Sequence, residues 1–141
     1  MLKSISSILS ACASKPSRAE IIEALRNNNH PIIRQLLFYV YSPSVKFLLP
    51  EGAPPYKPCD YLDQESRLYT EARKLYLFIE GGNPNLSKVK REVLFIQLIE
   101  SVSKDDAILL INIKDKKLPY STISEDVVRE AFPDLLPEVE E

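Results

Sequence analysis

Residues 113–124 read IKDKKLPYSTIS, with Lys114, Lys116 and Lys117 closing one predicted helix and Ser121, Thr122 and Ser124 standing before the next. Backbone N–H groups in the first turn of a helix lack internal partners and carry partial positive charge, so an anion placed there is stabilised. The three hydroxyls would add donors, and the three lysines would supply charge for sequence-independent contact with phosphate. Phosphate binding is therefore the chemistry this stretch suggests. The same lysines would also stabilise a helix C-terminus without any ligand, through its dipole. Arg34 on the third predicted helix, and the cluster Lys88, Lys90 and Arg91, are further candidates for nucleic-acid contact.

Other chemistries find little support. The sequence has no glycine-rich phosphate loop, no GxSxG, no HExxH and no KxDG, the nucleotide-accepting lysine motif of nucleotidyltransferases. Its single histidine, His30, precedes Pro31 and reads as a residue at a helix start rather than a base. Asp105 and Asp106 are consecutive, so on a helix they point about 100° apart and do not form a facing dyad. They read instead as first-turn acids behind a Ser103 cap. Cys12 and Cys59 lack CxxC spacing and, with one histidine, cannot supply an ordinary zinc tetrad. The expectation is a non-enzymatic chain with no cofactor and no metal.

The elements that would position these residues are helical. In LKSISSILSACA, Leu2, Ile5, Ile8, Leu9 and Cys12 fall on one face. Ser17 opens RAEIIEALRN, with Glu20 at capping-box spacing, and Pro31 suits the first turn of PIIRQLLFYVY. A fourth helix, QESRLYTEARKLYLFIE, would bury Leu68, Ala72, Leu75, Tyr76 and Ile79 and stop at Gly81 and Gly82. The fifth, within residues 83–102, is strongly apolar from Val93 to Ile99 and is the candidate central helix. KDDAILLINI and EDVVREAF, the latter capped by Ser124, complete the set.

Between Ser42 and Asp63 five prolines break any helical pattern, predicting a long connection anchored by Phe47, Leu48, Tyr56 and Tyr61. With 141 residues, 45% of them hydrophobic, the expected fold is an all-α, single-domain orthogonal bundle of about seven helices. It would cover residues 1–137, include the Pro-rich loop at 42–63, and leave an acidic tail at 138–141. No apolar run approaches the roughly 20 residues needed to span a bilayer, so no membrane partner is expected.

Net charge is −2 but unevenly spread. Residues 125–141 hold seven acids and one base, whereas residues 1–46 hold six bases and two acids. A basic face is compatible with this distribution.

The two ends of the chain resemble those of the all-helical N-terminal DNA-binding domain of ATP-dependent DNA ligases, particularly the short viral type. The first part, MLKSISSILSACASKPSRAEIIEALRNNNHPIIRQLLFYVYSPSVKF, follows that family's order of helices and its Tyr-Ser break. Towards the end, VSKDDAILLINIKDKK and SEDVVREAFPDLLPE resemble its acidic helix start, basic-Asp pair, polar turn, helix and Pro-containing exit. The resemblance covers roughly the first and last thirds. It implies a module that grips duplex DNA from the minor-groove side through lysines, arginines and helix-start amides. One departure stands out: the ligase turn has a glycine and a small residue where this chain has Pro119 and Tyr120.

The whole chain also resembles an uncharacterised family of tailed bacteriophages, with LPEGAPPYKP, EARKLYLFIEGGNPNL and KDKKLPY as shared phrases. That resemblance implies the cytoplasm of an infected bacterial host. The leading expectation is thus a phage-encoded module that binds double-stranded DNA without sequence preference. The alternative is the same fold serving as a protein-binding adaptor, or as an inhibitor of a host enzyme.

Overall fold

A computed structural model describes residues 3–59 and 67–136. Seven α-helices lie among them: α1 (Ile5–Ala13), α2 (Arg18–Asn27), α3 (Pro31–Tyr41), α4 (Arg67–Glu71), α5 (Lys88–Ser101), α6 (Lys104–Lys114) and α7 (Glu125–Ala131). A 3₁₀ helix, Ala72–Phe78, continues α4. The described residues contain no strand beyond one isolated antiparallel bridge between Phe47 and Ile79. The fold is all-α. None of its described helices is long and apolar enough to cross a membrane.

Helix starts follow local chemistry. Ser4, Ser17, Ser87, Ser103 and Ser124 each accept a backbone N–H from the first turn of the helix they open. His30 does the same for α3, its Nδ1 accepting the Ile32 N–H at 3.1 Å, with Pro31 at the first helical position where no N–H is missed. That role matches the expectation for this histidine.

Two expectations about the helices are corrected. The fourth helix is α-helical only to Glu71 and then tightens into the 3₁₀ form. Side chains three apart eclipse in such a helix, so Ala72, Leu75 and Phe78 form the buried line. Tyr76, expected inside, therefore turns out and is 48% exposed. The element ends at Phe78, with Ile79 already extended, rather than at the expected Gly81 and Gly82; Gly81, at φ +84°, lies in the turn beyond it. Gly82 permits close approach, since a Cβ there would collide with the Tyr76 carbonyl oxygen.

The central helix is α6, not α5. Helices α1, α3 and α5 all pack against α6. It buries Ala107, Leu109, Leu110, Ile111 and Ile113, leaving Ile108 exposed. Helix α5 buries Phe95, Leu98 and Ile99 on one side only, and its Val89 and Val93 face solvent. A run of apolar residues made α5 look central, but its position at the margin leaves part of that run outside.

Asp106 ties the bundle together. It stands in the first turn of α6, yet its Oδ1 accepts the Ser6 N–H of α1 at 2.9 Å, so two helix N-termini converge on one carboxylate. Residue Asp106 is fully buried, and its Oδ2 has no hydrogen-bond partner. Burial pushes its carboxyl above the usual range, opposed by the Ser6 N–H. The neighbouring Tyr120 hydroxyl donates to the Ser6 carbonyl at 3.1 Å. Burial, with help from Asp106, pushes that phenol up to about 12.

Candidate functional site

Three basic residues of the 113–124 stretch meet different fates. Lys114 is buried, and its ammonium donates to the carbonyls of Pro50 at 2.8 Å and Gly52 at 2.7 Å and to Asp115 Oδ1 at 2.7 Å. The Asp115 carboxylate in turn accepts the Gly52 N–H. Lys116 takes a left-handed φ of +62°, sending its ammonium back to the carbonyls of Tyr39 at 2.6 Å, Ser42 at 2.7 Å and Val45 at 3.0 Å. Burial lowers its tendency to hold a proton. An ammonium has three hydrogens, and each of these two ammoniums has three acceptors within the chain. The expectation that Lys114 and Lys116 meet phosphate is therefore corrected: they clasp the Pro-rich loop onto the ends of α3 and α6. Lys117 alone of the three is exposed.

Two of the three hydroxyls are also engaged. Thr122 Oγ1 donates to the Ala13 carbonyl at 2.7 Å, and Ser124 accepts the Val127 N–H as an N-cap. Ser121 is exposed. Tyr120 plugs the bundle against α1.

Elsewhere, Arg91 is buried, with Nε on the Leu77 carbonyl and an NH2 group on that of Leu86, fastening the 3₁₀ helix to α5. Its expected role in nucleic-acid contact is corrected likewise, because its donors are turned inward. Lys88 and Lys90 stay exposed beside it. Arg34 lies 3.1 Å from Asp134, with its guanidinium 5.5 Å from the Phe132 ring centroid. The Arg34 hydrogen bond holds the Asp134 carboxyl below its usual range.

That last pair belongs to a wider pattern. Arg18 pairs with Glu130 at 3.0 Å, and Arg26 donates to the carbonyls of Ala131 and Glu130. Helix α2, from the basic first third, packs against α7, from the acidic end. The uneven charge along the sequence is thus folded against itself. The candidates Lys114, Lys116, Arg34 and Arg91 do not form one free cationic surface with Lys88 and Lys90.

The Pro-rich loop packs partly as expected. Phe47 and Tyr56 rest on the core, whereas Leu48 is 38% exposed, a correction, and Tyr61 lies outside the described residues. Val45 and Leu49, not foreseen as anchors, turn inward instead. Leu48 donates its N–H to the Phe78 carbonyl and Glu80 donates to that of Lys46, so residues 46–48 run along the end of the 3₁₀ helix. Farther on, the Lys57 N–H donates to Glu100 Oε2 of α5 at 2.8 Å. Between these ties the loop and α5 enclose a cavity of about 400 Å³ lined by Leu49, Pro50, Pro54, Pro55, Phe95 and Ile96.

Sequence reasoning missed the outer ridge of α5. Val89 is 71% exposed and Val93 43%, one turn apart. The signal was there: both lie opposite the Arg91, Phe95 and Leu98 face. Among the described residues no group of three or more histidines, cysteines or acids could hold a metal ion.

A small all-α domain with three of its candidate cations, Lys114, Lys116 and Arg91, turned inward and Arg34 paired with Asp134 is the class these features define. Residues 8–120 match a family of unknown function, DUF6433, and the chain belongs to that family. No curated protein and no solved structure matches it.

Proposed function

We propose that the chain is a non-catalytic binding module whose partner is another protein, in the manner of an adaptor or an inhibitor. The observation that carries this reading is the fate of the positive charge. Lys114 and Lys116 are saturated by internal acceptors, and Arg18 and Arg34 are paired with acids of the C-terminal segment. Backbone phosphates would need those charges free. The exposed pair Val89 and Val93 on α5 supplies the kind of apolar contact that protein partners cover.

DNA binding is the second reading. The ligase resemblance favours it, and Lys88, Lys90 and Lys117 remain exposed with no ion pair among the described residues. A bacterial cytoplasm, implied by the phage resemblance, is the setting proposed for either.

Affinity capture from bacterial lysate, with and without nuclease, separates the two. Protein capture that survives nuclease and is lost in Val89→Glu/Val93→Glu supports the protein-binding reading. A shift of nicked duplex by the purified chain at low salt, reversed by added salt and by Lys88→Glu/Lys90→Glu, would replace it with the DNA reading.

A further inference from the structure

We propose that the slot between the Pro-rich loop and α5 seats an apolar side chain of a partner protein whose neighbouring residues are basic. This rests on the protein-binding reading and gives it a site and a chemistry. Leu49, Pro50, Pro54 and Pro55 form one wall, and Phe95 and Ile96 of α5 the other, around about 400 Å³. That volume suits one or two large apolar side chains rather than a folded surface.

The charge at the slot selects the flanks. Glu51 on the loop and Glu92 on α5 also line it, and neither has an ion pair among the described residues. Lys114, the one cation lining it, has its ammonium enclosed by Pro50, Gly52 and Asp115, so it forms part of the floor and offers no free donor. The slot therefore presents two carboxylates, unpaired among the described residues, beside apolar walls, a match for lysine or arginine next to an apolar anchor and a mismatch for acidic segments.

The loop wall is formed before any partner arrives. Gly52 stands at φ +88°, its N–H on Asp115 and its carbonyl on Lys114. Prolines at 50, 54 and 55 restrict the backbone further. A preformed wall reduces the ordering cost of binding, which favours recognition of a short segment.

The test is selection from a random-peptide display library on the intact purified chain. Selected peptides are expected to carry an apolar residue with lysine or arginine beside it. Their affinity should fall about tenfold or more on Glu51→Lys/Glu92→Lys. Ala53→Trp, which fills the slot from its exposed rim and leaves the carboxylates in place, should abolish binding, with circular dichroism confirming that both variants stay folded. Peptides without basic residues, equal binding to the charge-reversed variant, or no enrichment would each overturn the slot assignment. The nuclease-treated capture decides separately whether the protein-binding reading survives, because it reads Val89 and Val93 rather than the slot.

Discussion

Two clusters of lysine look alike in the sequence and behave oppositely in the fold. At the end of α6, Lys114 and Lys116 bend inward and are enclosed by carbonyls; at the start of α5, Lys88 and Lys90 stand in solvent. The difference lies in what surrounds each helix end. The α6 terminus faces the Pro-rich loop, whose described residues 42–59 lie outside any helix and whose carbonyls need donors. The N-terminus of α5 presents N–H groups, which repel an ammonium and leave it outside. A basic cluster thus stays in solvent or becomes an internal fastener according to whether unpaired carbonyls lie within its reach.

Substitutions can break this contrast, and the largest effect belongs to Lys114. Lys114→Met leaves two carbonyls and the buried Asp115 carboxylate short of a partner, so unfolding in urea should show a loss of about 3–5 kcal/mol. Lys116→Met, which leaves three carbonyls but no carboxylate short of a donor, should cost about 2–3 kcal/mol by the same measurement. If both variants instead unfolded like the parent chain, the clasp would be incidental and the two clusters equivalent.

Asp106 sharpens the contrast from the acidic side, as a buried carboxyl with one oxygen unsatisfied. Asp106→Leu removes the acceptor of the Ser6 N–H and should cost about 1–3 kcal/mol. Asp106→Asn keeps that acceptor and should alter pH dependence instead. The folded chain holds the Asp106 proton to higher pH than the unfolded chain does. Its contribution is therefore fully present below the ordinary aspartate range of about 4 and is lost as pH rises through the raised folded value. Relative to the asparagine variant, the parent should gain thermal stability as pH falls from neutral, and parallel melting curves would refute this. The smallest effect is expected at α5, where Lys88→Glu/Lys90→Glu should change stability by no more than about 0.5 kcal/mol.

Much of the fold was legible because its signals are local. Ser17, Ser103, Ser124 and Pro31 each mark a helix boundary through contacts within a few residues. The 3₁₀ continuation was not legible, since RLYTEARKLYLF satisfies an α-helical stripe as well, and the Leu77 carbonyl meets its donor, Arg91, 14 residues farther on. The candidate site suffered more. Lys114 and Lys116 meet acceptors 62 to 77 residues away, and no spacing rule can report them. Likewise Arg18 and Arg34 are neutralised by residues 112 and 100 positions on. Composition counted these charges correctly, but availability is a property of the folded chain.

The left-handed backbone at Lys116 has one further consequence. That conformation costs a non-glycine residue about 1–2 kcal/mol, yet it is what turns the ammonium toward α3. The loop carbonyls, the final turn of α6 and the end of α3 consequently share one set of donors, so none can detach while the others stay intact. In native-state hydrogen exchange, the amides of Gly52, Val45 and Lys117 should open together, with one common free energy, as a single cooperative unit.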